Sequence, residues 1–425
     1  MIFLELFRSI QLVRTGFGRG ANKCGRIIAG RLSILDGEKR YTVGLIAHYW
    51  FYAMCYAIYC NYMPIYLRQL GFNNMRIGVV FSIGPLAAII GQGFWGRVGD
   101  RVKYLNTVLY WLLGGCGAMM LIMPFSHGFL NIVVVNIIYT FFQASLNPIS
   151  DAIALEYTQR TKVRYGVIRL AGTLGYAFMS VAAGILLKRN VGRMFWFCCF
   201  FNVAALFILP SLPKIHRGHE ARKAQPPGVL FKNRTLMMYL LYALMIYSTV
   251  GFYGSFYSIY FTSRGGNSFL LGWAYFIACL SELPFLLFST KIINRFKIEQ
   301  LLLLAGCAAT VRWFLTGIMT GIGAQMILQF FHGMIYIVMM VSVAIYISQN
   351  VPAGLKASGL ALNAICADGI SKVIGSLVGG WLSDFLNMQA VFIFNGVIAL
   401  AAVILFGTVL FWQRRGDSHH IESFR

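Results

Sequence analysis

Twelve long apolar stretches dominate this chain and leave few folds open to it. They fall near 42–70, 76–96, 104–125, 129–158, 163–187, 194–212, 235–263, 268–293, 298–319, 322–351, 356–386 and 388–412. Most reach the ~20 residues a helix needs to cross the hydrocarbon of a bilayer. Hydrocarbon offers no water to backbone N–H and C=O groups, so such runs satisfy them internally, as helices. The expected fold is an all-α membrane protein of twelve transmembrane helices. The charge content agrees: 12% of residues are charged, against about 25% in a soluble domain.

The longest internal polar segment, PKIHRGHEARKAQPPGVLFKNR at 213–234, divides the spans six and six. It predicts a cytoplasmic linker between two six-helix bundles, 41–212 and 235–412. Parallel halves of this kind belong to carriers that rock around a midplane site. Residues 1–40 are basic, Gly-rich and too polar to span, and are expected to form a disordered cytoplasmic arm. Residues 413–425 are expected to form a cytoplasmic tail.

A net charge of +23 invites a nucleic-acid reading, but its placement argues against one. Of the 36 Lys and Arg residues, 27 lie in the segments that share a side with both termini and the linker. Six (Arg68, Arg76, Lys188, Arg189, Arg193 and Arg264) lie in the opposite loops, and Arg169, Arg312 and Lys372 lie within spans. Positive charge gathers on the cytoplasmic side, which places both termini inside a multi-pass protein of the plasma membrane. The basic segments then serve topology and anionic membrane lipid rather than nucleic acid. The nine cysteines show no metal-type spacing such as C-x-x-C and are expected to pack as small apolar residues. No metal and no cofactor is expected. With no nucleophile–base pair and no phosphate loop, the chain does not read as an enzyme. It is expected to be monomeric.

Among the ionisable residues inside the spans, five fall in two clusters at matching depths, one in each half: Asp151, Arg169, Glu282, Arg312 and His332. Such residues are costly in a membrane and commonly line a solute or proton path. The turn between helices 4 and 5 centres near Arg160, with Asp151 nine residues before it and Arg169 nine after. At 1.5 Å per residue both lie roughly 13 Å from the turn and can meet across the hairpin. Arg169 could fork onto a substrate hydroxyl pair or carboxylate with Asp151 orienting it; the alternative is a plain interhelical salt bridge. Counting from the turns at Lys297 and Gly321 puts Glu282, Arg312 and His332 in one layer of helices 8, 9 and 10. Together they can hold and move a proton. Asp368 and Lys372 share a face of helix 11, four residues apart. They either neutralise each other or make Asp368 a further protonatable carboxylate. Aromatics crowd helices 1 and 7, most of them expected as packing or interfacial residues.

Helix 2 ends in GRVGDRVK (96–103), a G-x-x-x-D-R pattern of Gly96, Asp100 and Arg101. This resembles the loop signature of the major facilitator superfamily, without its later glycine and paired basic residues. PISDAIALEY (148–157), YGVIRLAGTLGY (165–176), SELPFLLFSTKIINRF (281–296), VRW (311–313) and FFHGMIYI (331–338) resemble the lactose permease and phenylpropionate permease branch over roughly 41–412. The resemblance implies an alternating-access carrier that imports a small organic solute, a sugar or an aromatic carboxylate, with protons as co-substrate and the proton gradient as energy source. A drug or metabolite exporter and an uncoupled uniporter share the fold. It further implies that Asp151 and Arg169 bind substrate, that Tyr176 stacks on it, and that Glu282 links substrate and proton sites. Arg312 and His332 would form the proton site. Two departures matter. Ile335 stands where the lactose-type members carry a protonatable glutamate, and Gly251 and Gly254 replace their helix 7 aspartates. Coupling then falls to Glu282, His332 or Asp368.

Overall fold

A computed structural model describes residues 21–215, 227–352 and 355–422. All twelve spans are present: α1 Glu38–Gln69, α2 Asn74–Arg101, α3 Leu105–Phe125, α4 Phe129–Arg160, α5 Tyr165–Leu186, α6 Val191–Ser211, α7 Arg234–Ser263, α8 Ser268–Phe288, α9 Ile298–Ile318, α10 Ile322–Asn350, α11 Ser358–Leu386 and α12 Met388–Trp412. Among the described residues there is no β-strand. Large apolar side chains point outward, Phe207 at 80% and Phe125 at 71% exposure among them. Lipid is the partner such a surface fits, because a soluble protein of this size would bury it.

Three helices run past their expected ends. The helix that contains α1 begins at Ala21, so residues 21–40 are helical and not part of an irregular arm; residues 1–20 of that arm lie outside the described residues. The last helix runs Met388–Glu422, which makes most of the expected tail a helical extension; 423–425 lie outside the described residues. α2 runs on to Arg101, beyond the expected end of the span near 96, so Gly96, Asp100 and Arg101 sit in its last turns. Of the linker, Pro227–Lys232 forms a 3₁₀ turn, and 216–226 lie outside the described residues.

The two halves repeat a local device. α1 and α7 each end at a glycine with positive φ, Gly71 (83°) and Gly265 (91°), where the missing Cβ removes the steric penalty. Two residues later an asparagine caps the next helix: Asn73 Oδ1 accepts the Arg76 N–H at 3.1 Å and Asn267 Oδ1 accepts the Leu270 N–H at 2.9 Å. The same turn chemistry at the same place in each half produces the same helical hairpin twice.

Three spans are interrupted. α4 breaks between Gln143 and Leu146. α10 passes through a 3₁₀ turn at Leu328–Phe330. α11 contains a π turn at Ile365–Ile370, which carries Asp368. Wide turns of this type re-aim side chains and gather at functional sites.

The halves meet through α2 with α11 and α5 with α8, on the side away from the linker, here called the far side. Contact there is backbone against backbone. A Cβ on Gly380 would lie 2.6 Å from the Asn74 carbonyl oxygen, and one on Gly184 2.5 Å from that of Ser268. Gly78 against Ser376 and Gly272 against Ser180 are as tight or tighter. On the linker side the same helices are apart: Gly93 and Gly96 of α2 and Gly166 of α5 have open space at the Cβ position. The protein is therefore closed on the far side and open toward the linker. Asp384 of α11 reinforces the closure by accepting the α2 N-terminal N–H groups of Asn74 (3.0 Å) and Met75 (2.9 Å). Those groups have no partner within their own helix, and a carboxylate complements the helix dipole. Asp384→Ala is expected to weaken closure by about 1–2 kcal/mol, read as faster hydrogen exchange of the amides at 74–78. Unchanged exchange would mean the carboxylate is incidental.

Candidate functional site

Two polar clusters line the space between the halves. In the first half, α4 and α5 bring Asp151 and Arg169 together as their register requires: Arg169 Nη1 lies 3.8 Å from Asp151 Oδ1. That distance is long for an ion pair, and Arg169 uses the same nitrogen to donate to Asn147 Oδ1 at 3.2 Å. Asp151 also accepts a short hydrogen bond from the Tyr49 hydroxyl, and the Arg169 guanidinium sits 5.8 Å from the Tyr49 ring centre. The Arg169 side chain is 47% exposed, which leaves guanidinium donors free for a solute. One residue along both helices, His48 Nε2 and Ser150 Oγ lie 2.8 Å apart, fully buried. α1 and α4 are thus held by two consecutive polar rungs.

Tyr176, one turn-pair further along α5, donates to Asn61 Oδ1 at 2.8 Å, and its ring centre lies 6.3 Å from that of Tyr56. Asn61 in turn donates to Ser180 Oγ at 3.0 Å. The Tyr176 hydroxyl is engaged, which fixes the ring as part of an aromatic wall with Tyr56 and Tyr52.

In the second half the expected layer assembles. His332 Nε2 is 3.5 Å from Glu282 Oε1, and His332 Nδ1 is 3.2 Å from Arg312 Nη1. Arg312 is 1% exposed. Its charge is accommodated by a cage: Nη2 donates to Gln329 Oε1 at 2.8 Å, and the guanidinium lies 4.5 Å from the Tyr253 ring centre and 4.8 Å from that of Trp313. Cation–π contacts are stronger where water is excluded. Tyr253 also donates to Gln329 Oε1 at 2.7 Å. Gln329 sits in the 3₁₀ turn of α10, three residues before His332, and that turn aims it at Arg312. Ile335 is 1% exposed and belongs to the apolar core.

Lys372 Nζ pairs with Asp368 Oδ1 at 2.9 Å, as the four-residue spacing predicts. Gly251 explains why the lysine turns to its own helix: a Cβ there would be 3.0 Å from the Lys372 Cα, so α7 packs too closely against α11 for an acidic side chain at that position. The two clusters face one another. The Tyr336 phenol of α10 is within electrostatic reach of Asp368, Lys372 and Glu282 of its own half and of Arg169 of the other.

Polar residues not anticipated from the sequence complete the clusters: His48, Tyr49, Asn61, Asn147 and Gln329. His48 was visible as an ionisable residue within a span. Gln329 was visible as an amide one turn from His332.

The match to a family model, described as the MFS_1 like family, covers residues 43–394. The chain belongs to that family. It is a transporter of the major facilitator superfamily, in the branch its helix 4, 5, 8, 9 and 10 segments resemble. The maltose permease of Geobacillus stearothermophilus is 24% identical over 81% of this chain and 88% of its own length. A probable 3-phenylpropionic acid transporter of Escherichia coli is 22% identical over 86% of this chain and 97% of its own. The crystal structure of the nucleoside transporter NupG superposes with a TM-score of 0.79 at 14% identity, over 87% of this chain and 99% of that one. The transporter is therefore a carrier of small solutes.

Proposed function

We propose that this transporter imports a small organic solute by alternating access, coupled to proton symport. The observation that carries this reading is the pair of facing clusters in a space open on one side only. Arg169, Asp151 and the Tyr176–Tyr56 wall bind solute in one half, while Glu282, His332 and the Asp368–Lys372 pair carry the proton in the other. With the linker in the cytoplasm, as the charge bias predicts, the open side is the cytoplasmic one. Arg169 suits either a sugar diol or an aryl carboxylate, since both present two oxygens to a guanidinium fork. Relatives named for maltose, for 3-phenylpropionic acid and for nucleosides span both chemistries.

Proton movement in reconstituted vesicles, with no imposed gradient, tests the reading. Maltose, 3-phenylpropionate and a nucleoside are added in turn; alkalinisation of the medium with one of them establishes symport and its solute class. Downhill entry of solute without proton movement would instead support uniport, the second reading, which the buried Ile335 favours. Solute uptake into everted vesicles in exchange for lumenal protons, seen as acidification of the medium, would replace import by export. Within the symport reading, Asp368→Asn is expected to abolish solute accumulation against a gradient while leaving downhill exchange at least partly active. Loss of both activities equally would make Asp368 a structural partner of Lys372 only.

A further inference from the structure

We propose that the far side of the transporter carries an anion-binding site, separate from the central clusters, whose occupation holds that side closed. The site is a half-open cavity of about 460 Å³. Its walls come from both halves: Arg68, Lys188 and Arg189 from the ends of α1 and α5, and Thr262, Asn267 and Ser268 from the end of α7 and start of α8. Three of the six far-side cations thus meet in one cavity, and no carboxylate lines it. Among the described residues Lys188 and Arg189 have no carboxylate partner. Arg68 donates to Asn74 Oδ1 and has Asp384 within electrostatic reach, a carboxylate that also accepts the Asn74 and Met75 N–H groups and stands outside the cavity. Lys188 and Arg189 are exposed and Arg68 is half-buried, and the hydroxyl and amide groups of the second half share the same opening. Three like charges around one opening set up a positive potential that an anion complements. The Asn267-capped N-terminus of α8 adds backbone dipole of the right sign.

The cavity requires both halves in contact, so opening the far side destroys it. A ligand bound only in the closed form shifts the population toward that form by its own binding energy. The ligand chemistry is a compact oxyanion, supplied either free, as phosphate, or as a phospholipid headgroup of the outer leaflet. Anion occupancy would then set how readily the carrier returns to face outward, a control distinct from solute and proton binding.

Hydrogen exchange of the amides at 74–80 and 262–271 reads far-side closure directly. The full-length protein is placed in phosphatidylcholine nanodiscs, with inorganic phosphate compared against chloride at equal ionic strength. Phosphate at ten times its dissociation constant is expected to slow exchange there about tenfold. The exposed double variant Lys188→Gln/Arg189→Gln is expected to lose the response, and Arg193→Gln, a far-side cation outside the cavity, to keep it. Slowing by phosphatidylglycerol in the disc without phosphate would identify a headgroup as the occupant, and slowing by phosphate in pure phosphatidylcholine a free anion. No slowing with either overturns the proposal. So does an equal loss in Arg193→Gln, which would mark a diffuse field rather than a site.

Discussion

An Arg169→Ala transporter is expected to fold, reach the membrane and carry no solute. The stability cost is small because the Arg169–Asp151 separation is 3.8 Å, the arginine is half-exposed, and its firm contact is one hydrogen bond to Asn147. Loose, solvated pairs contribute about 0–1 kcal/mol. The functional cost is large because a guanidinium fork onto a carboxylate or diol makes two charge-assisted hydrogen bonds, each worth roughly 1.5–3 kcal/mol. Losing both removes on the order of 3–6 kcal/mol, at least a hundredfold in transport. Arg169→Lys separates charge from geometry: lysine keeps the charge but not the planar fork, so uptake should stay below a tenth of wild type. Near-normal uptake by Arg169→Ala protein shown to be in the membrane would remove Arg169 from the solute site. A melting temperature that collapsed with activity would make the residue structural.

The double substitution Gly78→Trp/Gly272→Trp is expected to prevent far-side closure altogether. At each position even a Cβ collides with a backbone carbonyl of the other half, Ser376 or Ser180. An indole cannot be accommodated by rotamer change, since the opposing atoms are main chain. The halves must then separate on that side, and the transporter becomes trapped facing the far side with transport lost. Accessibility of a thiol placed at Ser376 reports it: alkylation should rise strongly over the parent with both glycines intact. Unchanged alkylation together with retained transport would show that the halves close by another route.

Much of this architecture was legible in the residues because bilayer physics is coarse. Long apolar runs become helices, and their number and the central polar linker divide them six and six. The register of charges was legible for the same reason. Helices joined by short turns are rulers, so equal counts from Arg160 put Asp151 beside Arg169, and counts from Lys297 and Gly321 put Glu282, Arg312 and His332 in one layer. What escaped depends on local departures from a straight helix. Gln329 reaches Arg312 only because α10 tightens to a 3₁₀ turn there. Tyr49 was one of many aromatics in α1, and nothing in its neighbours singles out the hydroxyl that meets Asp151. Asp384 lies two residues before the end of α11. Its role as a cap for α2 arises from a contact between residues 310 positions apart, which no local pattern encodes. Residues 21–40 are helical because charge and glycine argue against spanning a membrane, and not against continuing a helix out of it.

The far-side seam has one more implication. It is built where side chains are missing, so its tightness is insulated from the chemistry of the central cavity. Asn147, which meets Arg169 and no glycine of the seam, can be exchanged to suit another solute without touching the surfaces that slide together. A carrier of this design has separate dials for what it carries and for how it moves. Selectivity is written in side chains, and the stroke is written in their absence.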